Sequence, residues 1–336
     1  MTGVDPALVD MMNAVFADYR ETGASPAGLD PALWRTLDEL GLARLTGPEE
    51  AGGSGAGWYE AAELLSAATR HGVRVPLAEN DLLACWLLDA IGLPSTGTLR
   101  TVGLLDERGA ARRVPWAMGA EKIVVVWKDG AGYRAADADA ENLVITAGFN
   151  TIGEPRDTVT ADVSTLDGTS VPAEIVTQLW LKSALVRAIQ VCAALDRIVE
   201  SSVEHATSRA QFGRPLSRFQ AVQHLIADLA AEAALARAAT EAALTTAVST
   251  DWSGSSLEFG VAAARSCAGH AAEVVVRNAH QVHGAIGTTL EHRLHEFTRA
   301  ALAWRSEFGS VRYWDQRVTD AALNAGASGL WGLVTG

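Results

Sequence analysis

Arg209, Gln211, Phe212 and Arg214 come together in the stretch "SRAQFGRPLSRFQAVQHLIADL", residues 208–229, between one long helical pattern and another. A guanidinium presents a planar fork that matches phosphate oxygens, and an aromatic ring offers a face to a planar group. Two readings follow. In one, Gly213 and Pro215 simply reverse the chain between two helices. In the other, the corner cradles a phosphate-bearing ligand. A second stretch, "NAHQVHGAIG" (278–287), ends a helical pattern in a loop. There Gly284 and Gly287 let backbone approach a ligand, and the Gln281 amide both donates and accepts hydrogen bonds. A plain helix–loop–helix joint is the competing reading.

The pairs His280/His283 and His292/His295 invite a metal. A catalytic zinc site wants a third protein ligand and an open position, and no cysteine lies near either pair. Glu291 and Glu296 fall on other helix faces, so these are read as capping or interface histidines and no metal site is expected. The alternating glycines of "AGGSGAGW" (51–58) imitate a dinucleotide fingerprint, which requires a strand before it and a helix after it. Helical patterns lie on both sides, so this is a surface loop.

The elements that must position these residues are mostly helices. "DPALVDMMNAVFADYRE" and "DPALWRTLDELGLARL" each open on Asp-Pro, a cap followed by a first-turn proline. Helical periodicity continues through "YEAAELLSAATRHG" and "ENDLLACWLLDAIGLP". The texture then changes. "EKIVVVWKDGAGYRAA" predicts a hairpin, and "ENLVITAG" and "RDTVTADVS" supply two more strands. From Val171 the chain returns to helix, apolar on nearly every side at first, as suits a helix buried among others. Ser217 is placed to cap the next helix. Two further helices, about 257–283 and about 290–308, complete a four-helix bundle. The domains expected are 1–110 helical, 111–169 a reduced β domain, and 170–336 the bundle.

Composition narrows the function. A formal net charge of -13 over 336 residues excludes a protein that wraps nucleic acid through a basic footprint. Cys85, Cys192 and Cys267 lie far apart in apolar patterns and read as buried thiols of a reducing compartment. With no secretory leader and no run of about 18 apolar residues, a soluble cytoplasmic protein without membrane contact is expected.

Taken together, "LWRTLDELGLARLTGPEEAGGSG" (33–55), the corner at 208–229 and "QVHGAIGTTLEHRLHEFTRA" (281–300) resemble the acyl-CoA dehydrogenase family over most of the chain. The resemblance implies a mainly α fold, with an N-terminal helical domain, a middle β domain and a C-terminal four-helix bundle. It implies FAD, with the corner reaching across a subunit interface to the flavin. The adenosine and pyrophosphate contacts fall by position on Arg209, Gln211, Phe212 and Gln220, and on Gln281, His283, Gly284 and Ala285. Ala285 stands where many members carry a second glycine. The implied substrate is an acyl-CoA thioester, desaturated between its α and β carbons, and the implied electron acceptor is an electron-transfer flavoprotein.

Two departures from the family pattern matter. Residues 113–168 contain neither the "TEPGAGSD"-like nor the "WIT"-like segment that holds the isoalloxazine ring. The base that removes the α-proton is also missing. Its usual position falls on Phe308, between Glu307 and Gly309, and its alternative falls near Ser183, beside Lys182. No catalytic residue is assigned, Glu307 being the nearest candidate. The chain is similar in this to actinobacterial subunits that pair with a full-length paralogue as an α2β2 heterotetramer, several acting on CoA-linked sterol side chains. The expectation is such a subunit. The alternatives are a self-sufficient homo-oligomeric enzyme with Glu307 as base, and a flavin-free helical scaffold protein.

Overall fold

The computed structural model describes residues 3–22 and 28–335. The chain divides into two compact units, residues 2–182 and 183–336.

The first unit opens with α1 (Pro6–Glu21) and α2 (Pro31–Glu39), and both Asp-Pro starts behave as caps. Asp5 Oδ1 accepts from the Ala7 N–H at 2.9 Å and Asp30 Oδ1 from the Ala32 N–H at 2.8 Å. The glycine-rich loop lies between α2 and α3 (Trp58–Arg70), so no strand feeds it. It folds back on itself, Gly55 N–H donating to the Gly47 carbonyl at 2.9 Å. Gly53 packs so tightly here that an added Cβ would stand 2.0 Å from that carbonyl oxygen. Gly53→Ala should therefore lower stability by about 1–3 kcal/mol, the usual cost of overpacking. Chemical denaturation of the variant checks this, and an unchanged midpoint would contradict it.

A π-helical turn (Ala78–Cys85) leads into α4 (Trp86–Ala90). Seven strands follow, running from β1 (Arg100–Leu104) to β7 (Thr169–Val171). The expected hairpin is β3 (Lys122–Asp129) with β4 (Gly132–Asp139), paired in register from Asp129↔Gly132 to Lys122↔Asp139. β1 runs parallel to β3 on its other side, and β7 closes a four-stranded sheet in the order β1-β3-β4-β7. β2 (Ala110–Pro115), β6 (Arg156–Thr160) and β5 (Val144–Thr146) form a second, three-stranded sheet. The two expected single strands are β5 and β6. The sequence reading lacks β1, β2 and β7, and β1 lies inside the segment read as helical.

Strand β3 explains why its sequence is a continuous apolar run. Val124 and Val126 pack with Leu83, Leu87 and Leu88 from the helices, while Ile123, Val125 and Trp127 pack with Val114 and Val159 of the other sheet. Both faces are covered, so alternation disappears. Each fully buried valine or isoleucine stabilises the unit by about 1.5–3 kcal/mol.

Helix α5 (Ala173–Ser208) contributes residues 173–182 to the first unit and 183–208 to the second. The second unit continues with α6 (Gln220–Ser249), α7 (Ser255–His283), α8 (Leu294–Trp304) and α9 (Val311–Thr335). α6 and α7 pack against each other, and both carry buried alanines, among them Ala233, Ala236 and Ala243 on α6 and Ala264, Ala268 and Ala271 on α7. Small side chains let the two backbones approach closely. Helix α8 is shorter than the expected 290–308, and α9 follows it as an element that the sequence reading does not contain. Cys85 and Cys192 are buried thiols as expected, while Cys267 is half-buried. Among the described residues no helix is long and apolar enough to cross a membrane.

Candidate functional site

The corner between α5 and α6 is a two-residue β-hairpin rather than a plain αα turn. β8 (Ala210–Gln211) pairs with β9 (Arg214–Pro215), and both turn residues, Phe212 and Gly213, have positive φ, 52° and 78°. Two positive-φ positions define a type I′ turn, whose twist suits antiparallel strands. Glycine takes this conformation freely, but a bulky residue such as Phe212 is strained in it. The result holds the Phe212 ring 90% exposed, edge-on to Phe219 at 6.2 Å. The Arg214 guanidinium lies 4.1 Å over the Phe219 ring, a cation–π contact that stiffens the hairpin. Ser217 does not cap α6. A 3₁₀ turn (Leu216–Arg218) intervenes, Phe219 takes the N-cap position, and the Ser217 carbonyl accepts from Gln223 Nε2.

The C-terminal end of α7 faces this corner. Gly284, at φ 61°, ends the helix, and a 3₁₀ turn (Gly284–Thr288) carries the chain away. Between the two lies a cavity of about 460 Å³. Arg209 and Gln211 line it from the hairpin side, and Gln281, His283, Gly284 and Ala285 from the other. Six of the eight residues expected to contact a ligand thus meet at one site. Phe212 projects from the hairpin and Gln220 opens α6, both exposed, and neither lines the cavity. His205 and Leu216, absent from the sequence reading, do line it. His205 had a signal: it lies four residues before Arg209, on the same helix face.

The donors of this cavity are unspent. Among the described residues, no hydrogen bond or ion pair occupies the Arg209 guanidinium or the Gln211 and Gln281 side-chain amides. His283 is 5% exposed, and its Nδ1 sits 2.8 Å from the Ala279 carbonyl. A carbonyl only accepts, so the hydrogen is on Nδ1 and the Nε2 lone pair is left buried without a partner. Desolvation pushes the His283 imidazole down to about 4, and it pushes His205 down as well, so both rings are neutral at physiological pH.

The position expected for a base is built differently. Arg187, buried on α5, donates from Nε to Glu307 Oε2 at 2.7 Å, and the Phe308 ring lies 5.3 Å from its guanidinium. Arg265 on α7 donates from Nη2 to the Arg305, Glu307 and Gly309 carbonyls, clasping the turn that carries Glu307. Burial pushes this guanidinium down to about 9, with neighbouring Arg187 adding to the effect. Glu307 is thus buried and ion-paired to Arg187. At the alternative position Ser183 is buried. Lys182, also buried, has its Nζ 4.8 Å from the Trp58 ring centroid and 4.4 Å from that of Trp86.

Comparison with known proteins decides the family. Residues 7–95 match the acyl-CoA dehydrogenase N-terminal domain, and residues 176–312 match the acyl-CoA dehydrogenase C-terminal domain. The chain belongs to the acyl-CoA dehydrogenase family. It is 29% identical over 289 residues to acyl-CoA dehydrogenase IpdE2 of Mycolicibacterium smegmatis, covering 82% of this chain and 83% of that one. The ChsE4-ChsE5 complex from Mycobacterium tuberculosis has the same fold, with a TM-score of 0.81 at 22% identity over 96% of this chain and 98% of that one. So does the Tcur3481-Tcur3483 steroid ACAD, with a TM-score of 0.82 at 23% identity and the same coverage. Acyl-CoA dehydrogenases are oxidoreductases acting on CH–CH bonds, and FAD is their cofactor. The cavity's chemistry fits one half of that cofactor. A free guanidinium and two free amides suit a pyrophosphate and a nucleoside edge, and the volume lies in the usual range for ligand sites.

Proposed function

We infer that this chain is the non-catalytic subunit of a heteromeric, FAD-dependent acyl-CoA dehydrogenase. Its cavity grips the adenosine and pyrophosphate of a flavin whose ring, together with the carboxylate base, belongs to a full-length paralogue. The observation that carries this reading is a contrast within the second unit. The donors at Arg209, Gln211 and Gln281 are unspent, while Glu307 beside the base position is consumed by Arg187. The chemistry a bound flavin would supply is acceptance of the β-hydrogen as hydride, with the paralogue's carboxylate as the base for the α-proton. This chain's part is to hold charge. Arg209 neutralises pyrophosphate, the amides of Gln211 and Gln281 fix orientation, and Phe212 offers its exposed face to the adenosine half.

An α2β2 assembly is supported by the two-component names of the ChsE4-ChsE5 and Tcur3481-Tcur3483 structures. It is supported too by apolar side chains left in solvent, including Leu235 on α6 and Leu323 and Val334 on α9. The substrate class is an acyl-CoA with a steroid-sized acyl group, and the electron acceptor is an electron-transfer flavoprotein. Both assignments rest on likeness to relatives. The self-sufficient reading requires Glu307 to leave its ion pair, and the scaffold reading leaves the free donors without a role. Mixing this chain with a full-length paralogue should give one heteromeric species on gel filtration that oxidises a steroid side-chain CoA ester. Full activity of either chain alone, or no association, would contradict the proposal.

A further inference from the structure

Beside the cavity three imidazoles converge from three different elements. His205 lies on α5, His283 ends α7, and His292 precedes α8. The His205 and His283 rings stack with centroids 4.5 Å apart, and His292 stands edge-on to His283 at 4.8 Å. One ligating nitrogen from each lies within 4.8 Å of the other two. Sequence spacing pairs His280 with His283 and His292 with His295, and the fold cuts across both pairs.

The key atom is His283 Nε2. It is buried and unpartnered, and its tautomer is fixed because Nδ1–H donates to the Ala279 carbonyl. Metal-binding histidines are prepared in this way, the second nitrogen being held by a carbonyl so that the first presents its lone pair. We propose that His205, His283 and His292 form a site for one divalent transition-metal ion of the zinc class, with a fourth position left to water or to an oxygen of a cavity ligand.

The donor set selects the metal. Three imidazoles without a carboxylate suit zinc, cobalt, nickel or copper, and not magnesium or calcium. Zinc–nitrogen bonds are about 2.0–2.1 Å, so tetrahedral partners stand about 3.4 Å apart and the rings must draw in by roughly 1 Å. One existing bond opposes this. His292 Nδ1 accepts from the Leu294 N–H at 3.1 Å, which places its hydrogen on Nε2. Ligation through either nitrogen gives up that bond, because a hydrogen leaving Nε2 must move to Nδ1, and the Leu294 N–H at the start of α8 then loses its side-chain acceptor. Arg209, one helical turn from His205, is the nearby cation that a metal must tolerate, and it lowers the affinity rather than blocking the site.

The test uses the untagged full chain, stripped of metal and free of flavin, so it does not depend on the flavin reading. Titration with Co²⁺ should develop visible absorption from a tetrahedral ion, saturating at one equivalent and displaced by Zn²⁺. His205→Gln and His292→Asn, each confirmed as folded by circular dichroism, should weaken binding at least about tenfold. His295→Asn, which alters the pair that spacing alone suggests, should bind like wild type. Absence of saturable binding in the wild type, equal binding by the His205 and His292 variants, or an equal loss in His295→Asn would overturn the site.

Discussion

Glu307→Gln should cost this chain about 3 kcal/mol of stability while leaving turnover of the assembled enzyme within about twofold of wild type. The stability loss follows from the ion pair. Arg187 and Glu307 are both buried and 2.7 Å apart, and neutralising one leaves the other's charge in a low-dielectric core. Removal of one partner of such a pair typically costs about 3–5 kcal/mol, whereas replacing both by apolar side chains is often neutral. The double variant Arg187→Met with Glu307→Leu should therefore recover most of the loss, and equilibrium denaturation of both variants beside the wild type checks this. The kinetic half follows from the same geometry, since an ion pair with a guanidinium lowers a carboxylate's basicity and so weakens it as a general base. A true general base contributes about 10²–10⁴-fold. A turnover loss of that size, with oligomer and flavin retained, would make Glu307 the base and the chain self-sufficient.

The second large effect is expected at Arg209. Its guanidinium lines the cavity with no partner among the described residues, so Arg209→Ala should release FAD from the assembled enzyme without unfolding this chain. Charge-assisted hydrogen bonds contribute about 1.5–3 kcal/mol each, equivalent to roughly 10–150-fold in affinity. Arg209→Lys should recover only part of this, because a point charge replaces a planar fork. A surface arginine that serves only as a helix terminus predicts instead a stability change within about 0.5 kcal/mol and no change in flavin affinity. Titration of FAD into the apo-complexes separates the two, and equal affinities would reduce the corner to a turn.

Much of this was legible in the sequence, and the failures have physical causes. Asp5-Pro6 and Asp30-Pro31 mark helix starts because cap chemistry is local. The β3–β4 hairpin is readable because Lys128-Asp129-Gly130 joins two runs of strand-forming residues. β2 hides because Arg112 and Arg113 interrupt its alternation at a register shift between Ala111 and Val114, and β7 is too short to show a period. At the site, the residue types around Arg209 and Gln281 point to the same cavity that both residues line. The hairpin at 210–215 leaves no trace in the sequence, because nothing local signals that Phe212 adopts positive φ. His205, and the grouping of His283 with His292 rather than with His280, are not legible because their meeting is a product of three helix ends, which no spacing along one helix encodes. Glu307 looked available because its partner Arg187 is distant in sequence.

On the function proposed above, this chain holds half of a flavin site and borrows the rest. The measurement that bears on it most directly is the flavin content of the chain purified alone and of the chain co-purified with a full-length paralogue. The expected result is a colourless chain alone and a yellow complex that loses its flavin when Arg209 is changed to alanine. A bright yellow, active homo-oligomer with one FAD per chain would contradict the account.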